Sequence, residues 1–161
     1  MSRVLVVSGV GAALIVLVSG AQTPPTEDKA VVQAALTEYL ETVAYPAPKP
    51  IDPMLFADDI EAFWSNGKTH RGRDAMVKAM EEGVRELEAD FESFAAKADD
   101  VHIHRRGDFA WVTCHIKLNG TLTEDRGSFS RTIRSSFVFE KRDDRWQMVH
   151  EHSGRLPKQT P

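Results

Sequence analysis

Arg145-Trp146-Gln147-Met148-Val149-His150-Glu151-His152-Ser153 alternates like a β-strand, with Trp146, Met148, His150 and His152 on one face and Glu151 on the other. A charged connection, Lys141-Arg142-Asp143-Asp144-Arg145, precedes it and is short enough for a hairpin. In the strand before that, Arg134, Ser136 and Val138 alternate with Ile133, Ser135, Phe137 and Phe139. Working back along the chain, strand-like segments near 128–141, 109–122 and 90–104 make a run of four with 145–153. The 109–122 segment is two-sided, with Trp111, Thr113, His115 and Lys117 opposed to Val112, Cys114, Ile116 and Leu118. Periodicity does not say which of its faces is concave.

Upstream of Asp90 the period is helical. Thr26 can cap a helix whose first turn holds Glu27 and Asp28, the charge sign that suits a helix N-terminus, with Val32, Ala35, Leu36, Tyr39 and Val43 on its apolar side. Pro46, Pro48 and Pro50 end it. Asp52-Pro53 opens a short helix through Phe56, and Ile60–Trp64 is a short strand followed by the polar turn Ser65-Asn66-Gly67-Lys68. A second long helix begins at Asp74, with Met76, Met80, Val84 and Leu87 on one face. Helices first and a run of antiparallel strands afterwards predict an α+β domain, with the N-terminal helices covering the concave face of a curved antiparallel sheet.

The composition bounds the function. A chain of 161 residues with 42% apolar and 27% charged residues has the size and balance of one globular domain, not of a disordered polymer. A net charge of -4 supplies no basic field for phosphate backbones, so nucleic acid is not an expected partner. Met1-Ser2-Arg3, the apolar run Val4–Val18 and the small residues Ser19-Gly20-Ala21 read as a secretory signal over residues 1–21, cleaved before Gln22. The run is short for a bilayer span, so no stable membrane anchor is expected after cleavage and the location is periplasmic or secreted. Residues 22–25 then form a tether, 26–157 the domain and 158–161 a C-terminal tail. Cys114 is the only cysteine, which excludes an intrachain disulfide, and it reads as a small buried hydrophobe. Asn119-Gly120-Thr121 is formally a glycosylation sequon and equally a turn signal.

Helix, prolyl loop, short strand, the Gly67-Lys-Thr-His-Arg-Gly72 turn, helix and a terminal hairpin ending in Trp146-Gln-Met-Val-His-Glu-His-Ser153 together resemble the SnoaL-like branch of the nuclear transport factor 2-like superfamily. The resemblance spans residues 26–157 and is most specific in the last strand. It implies a cone-shaped half-barrel, often a homodimer through the outer sheet face, with one deep pocket between sheet and helices. Members include isomerases, cyclases and dehydratases that use no cofactor, and proteins with no catalytic role.

By that family's geometry the resemblance implies that His150, His152, Arg134 and Ser136 face the pocket, with Trp64, Tyr39 and Trp111 as apolar walls and His70 at the rim. A ketosteroid isomerase-like mechanism needs a carboxylate base, and no Asp or Glu stands clearly on the inner strand faces; His150 or His152 is then the natural base of any reaction. Each has a plainer reading. A histidine of the last strand can anchor a neighbouring element, Arg134 can pair with a surplus carboxylate instead of an anionic ligand, and Trp64, Trp111 and Trp146 can simply pack. His102-x-His104 and His150-x-His152 each put two imidazoles on one strand face. Neither brings a third ligand, and Arg105-Arg106 disfavours a cation, so no metal is expected. The expected function is binding of a small, partly apolar molecule in one pocket without a cofactor. The alternatives are a cofactor-independent isomerase, dehydratase or cyclase, and a non-catalytic dimeric envelope module.

Overall fold

The computed structural model describes residues 27–124 and 126–156. The expected signal, the tether, the Thr26 cap and the C-terminal tail lie outside the described residues. Helix α1 (Glu27–Glu41) carries Glu27 and Asp28 in its first turn and buries Val32, Ala35, Leu36, Tyr39 and Leu40. It stops before Val43, where the Thr42 hydroxyl donates to the Tyr39 carbonyl at 2.7 Å and satisfies one of the last-turn acceptors. The short helix expected after Asp52 is one 3-10 turn, Pro53–Leu55, capped by the Asp52 carboxylate, which accepts from the Met54 N–H at 2.8 Å.

Strand β1 (Phe56–Phe63) begins four residues before the expected Ile60, because Phe56 and Ala57 leave the 3-10 turn directly into the core, both 0% exposed. A tight turn with Gly67 at φ 86° leads to the three-residue strand β2 (Thr69–Arg71), which lay inside the expected turn. Helix α2 (Arg73–Asp90) follows and buries Met76, Ala79 and Met80. Val84 and Leu87, expected on the same buried face, are half-buried.

The remaining chain is β3 (Phe91–Arg106), β4 (Phe109–Leu122), β5 (Ser128–Arg142) and β6 (Arg145–Arg155). The six strands form one curved, unclosed sheet in the order β2-β1-β6-β5-β4-β3. It is mixed and not wholly antiparallel, because β6 returns between β5 and β1 and pairs with β1 in parallel. Alternation within a strand carries no information about direction, so the sequence left this pairing unseen. The β5–β6 hairpin turns on Asp143 and Asp144, both at positive φ, the pattern of a two-residue turn that matches strand twist. Asn119-Gly120 is not a turn: both residues lie in β4, opposite Ala95 and Phe94. A Cβ at Gly120 would stand 2.6 Å from the Ser93 carbonyl oxygen and 2.7 Å from the Phe91 ring, so glycine lets Phe91 lie flat against β4.

The core lies between the concave sheet face and the two helices, around Leu36, Phe56, Ile60, Met76, Phe137, Phe139 and Met148. Cys114 belongs to it, and burial pushes its thiol up to about 11, as expected of a packing residue. No helix among the described residues is long and apolar enough to cross a membrane.

Candidate functional site

The site is set by one residue of extra backbone. Met148 pairs with Phe139, but the next pair across β5 and β6 is His150 with Val138, so Val149 has no partner and forms a β-bulge. A bulge reverses the phase of every side chain after it. Met148 faces the core before the bulge; beyond it, Glu151 and Ser153 face the core while His152 is exposed. Glu151 is thus the inward carboxylate that regular alternation placed on the opposite side.

Three donors hold it. The Tyr39 hydroxyl from α1 donates to Glu151 Oε2 at 2.8 Å, and the Trp64 indole N–H, just past β1, donates to the same oxygen at 3.1 Å. The Ser153 hydroxyl donates to Oε1 at 3.1 Å and lies 3.0 Å from the Ser135 hydroxyl. Glu151 is 3% exposed and Tyr39 6%. Burial raises the Glu151 carboxyl above its ordinary value, and the bonds from Tyr39, Trp64 and Ser153 pull against that rise. Burial, then the adjacent Glu151 charge and hydrogen bond, hold the Tyr39 hydroxyl well above 10.0, so it stays a donor.

Over this carboxyl lies a cavity of about 340 Å³ between sheet and helices. Ile116, Leu118 and Ile133 line it from the sheet, and Met80, Gly83 and Leu87 from α2. Leu87 is only half-buried because it overhangs this space. Gly83 is costly within a helix, but a Cβ there would meet nothing within 4 Å, so glycine leaves room in the wall.

The raised carboxyl links stability to pH. Between the ordinary value of 4.5 and the higher value in the fold, the native state binds more protons than the unfolded chain, so stability falls as pH rises through that window. Glu151→Gln removes this dependence while the other carboxyls titrate alike in both proteins. Urea unfolding over roughly pH 4 to 8 should show the wild-type-minus-variant stability difference declining as pH rises. A constant difference would show that Glu151 titrates as an exposed acid does.

Of the residues expected around the pocket, Tyr39 and Trp64 stand in its wall. His150, His152, Arg134 and Ser136 do not, because the bulge turns the β6 histidines to the outer face and Arg134 and Ser136 share that face of β5. Arg134, Ser136 and His152 do meet, with Thr113 and His115, in a separate outer hollow of about 330 Å³. His150 lies beside Phe63, ring centres 5.7 Å apart. Trp111 is also outside, 42% exposed and stacked on His104 at 5.2 Å. His70 backs the site without lining it: its ring packs 4.3 Å from the Trp64 ring. Its pKa is lowered, first by burial. His102 contacts Asp100 at 3.0 Å, and among the described residues no three of His, Cys, Asp and Glu are grouped as metal ligands.

Glu151, Ser153 and Gly83 are the site residues that sequence reasoning missed. A signal existed for the first two: Ser135 and Phe137, their partners across β5, lie in an alternating set with Ile133 and Phe139 whose apolar character marks the core face. Following the β5 pattern across the hairpin would have exposed the phase conflict in β6.

A family model described as the SnoaL-like domain matches residues 32–156. Among solved structures, the chain is similar to a scytalone dehydratase-like protein from Novosphingobium aromaticivorans, at TM-score 0.68 and 17% identity over 81% of this chain and 85% of that one. It is also similar to a nuclear transport factor 2-like superfamily protein from Salmonella enterica serovar Typhimurium, at TM-score 0.65 and 19% identity over 82% and 93%. A third is the hexachlorocyclohexane dehydrochlorinase LinA-type3 from Novosphingobium barchaimii, at TM-score 0.65 and 15% identity over 81% and 87%. No curated protein matches the sequence. At these identities the structures speak for the fold alone, while the family model spans most of the sequence: the chain belongs to the SnoaL-like domain family.

Proposed function

We propose that this domain binds a small, largely apolar molecule in the cavity between sheet and helices, with the polar end of the ligand on the Glu151 carboxyl. The observation that carries this is a buried carboxyl, fixed by Tyr39, Trp64 and Ser153, at the wall of an otherwise mainly apolar space of about 340 Å³. Small-molecule sites combine apolar walls with a few positioned polar groups in this way. Arg134, the residue that could have met an anionic ligand, faces the other side of the sheet. The probe is 1-naphthylmethanol, whose two rings suit the walls and whose hydroxyl can donate to the carboxyl. Calorimetric titration should give saturable binding to the wild type and none to Gly83→Leu, a substitution that fills the cavity from a helical position with open space beside it. Absence of wild-type binding by this alcohol and by an amine and a carboxylate of the same ring shape, or equal binding to a folded Gly83→Leu, would overturn the reading.

A second reading is favoured by the raised Glu151 carboxyl: cofactor-independent proton transfer, with Glu151 as the acid or base. A carboxyl shifted upward exchanges protons closer to neutral pH. Among the described residues no histidine lines the cavity, so the carboxyl replaces His150 and His152 as the candidate. A dehydrochlorinase on the same fold is compatible with such a role. The pattern of residues 1–21 supports a periplasmic or secreted site of action, and the uncovered Phe109 and Trp111 support pairing of two copies through the outer face.

A further inference from the structure

We infer that the cavity selects a protonated amine with an apolar body, its ammonium group meeting Glu151 and its body lying among the aromatic walls; this rests on the cavity being the binding site. Among the described residues the lining contains three acidic side chains, Glu86, Asp90 and Glu151, and no Lys, Arg or His. Glu151 is bonded only by neutral donors, Tyr39, Trp64 and Ser153. A carboxylate offers about four acceptor positions, and these three bonds leave one for a ligand N–H. Hydrogen bonds from neutral donors offset only part of the desolvation cost of a buried carboxylate, and the group that relieves the rest most is a positive charge delivered into the same space.

The exposed part of the lining has the same sign. Glu86 and Asp90 stand one turn apart at the end of α2, and the last turn of that helix holds no basic residue. Its terminal carbonyls carry the negative end of the helix dipole, of which the Asp90 carbonyl already accepts from the Arg126 guanidinium at 3.2 Å and from the Thr123 N–H at 3.0 Å. Among the described residues the cations paired with these carboxylates are Lys68, 3.6 Å from the Glu86 carboxylate, and Arg126, 3.6 Å from the Asp90 carboxylate. Both pairs are solvent-exposed and belong to the class that neutralises little. The same lining holds the rings of Tyr39, Trp64, Phe91 and Phe94. Aromatic faces attract an ammonium group as well as apolar surface, and none of these features attracts an anion.

Three probes of one shape separate the possibilities: 1-naphthylmethylamine, 1-naphthylmethanol and 1-naphthoate, titrated calorimetrically near neutral pH into wild type, Glu151→Gln and Gly83→Leu. The amine should bind wild type at least about tenfold more tightly than the alcohol, with naphthoate weakest. Glu151→Gln, which keeps an acceptor for Tyr39 and Trp64, should bring the amine down to the level of the alcohol, and Gly83→Leu should abolish both. Alcohol binding that equals or exceeds amine binding in wild type overturns the amine inference and leaves the cavity reading intact. Binding of none of the three overturns both. An amine preference that persists in Gly83→Leu assigns the amine to the acidic surface and overturns the inference. The wild-type ranking decides the question by itself should either variant fail to fold.

Discussion

Phe137→Ala is expected to lower the free energy of unfolding by about 3–5 kcal/mol, from lost transfer energy and the hole left in a packed interior. Phe137 is 0% exposed and lies between Val112 on β4 and Glu151 on β6 in direct cross-strand register. Its ring also meets the Tyr39 ring edge-on at 5.8 Å, so truncation loosens the residue that holds the carboxyl. Against a typical total of about 5–15 kcal/mol, this is a large fraction of the fold's stability. Urea denaturation should show a lower midpoint with little change in slope. A loss below about 1 kcal/mol would mean that the sheet and α1 close around the missing ring, contrary to the packing described.

Tyr39→Phe should cost about 1.5–3 kcal/mol at pH values where Glu151 is ionised, the range for a hydrogen bond to a charged group. The ring, with its edge contacts to Phe56 and Phe137, is retained, so the loss reports the hydroxyl alone. Without that donor the carboxyl has lost the first-ranked of the bonds that oppose its upward shift, and it moves further up. The cost of the substitution should therefore shrink as pH falls and Glu151 gains its proton. In a Glu151→Gln background it should drop toward the neutral-bond range of about 0.5–1.5 kcal/mol. A double-mutant cycle measures this coupling directly, and additive effects would show that the 2.8 Å contact carries no energy of its own.

Much of the architecture was legible because it rests on long periodic segments. The spacing of Val32, Leu36 and Tyr39 located α1, and the alternation from Ile133 to Phe139 located β5. The short and irregular pieces were not legible: β2 has three residues, and β1 begins where an apolar pair reads equally well as the end of a helical turn. The site failed for a sharper reason. Trp146 and Met148 share a face, as alternation predicts, and that face is the core. Regular alternation fails at Val149, which has no partner, and it puts every β6 residue beyond that point on the wrong face. The basic groups Arg134 and His152 line a hollow with Ser136, but on the outer surface and not in the pocket that the resemblance implied.

The unpaired Val149 gives β6 slack in its length. Removal of this one residue would join Met148 directly to His150 and leave both flanking stretches with their faces unchanged. The same loss within the paired run from Ile133 to Val138 of β5 would turn half of that strand inside out. Position 149 is therefore where a gap of one residue between this chain and a relative is most easily accommodated. An alignment that forces the gap elsewhere would match the inward carboxyl of Glu151 to an outward-facing neighbour.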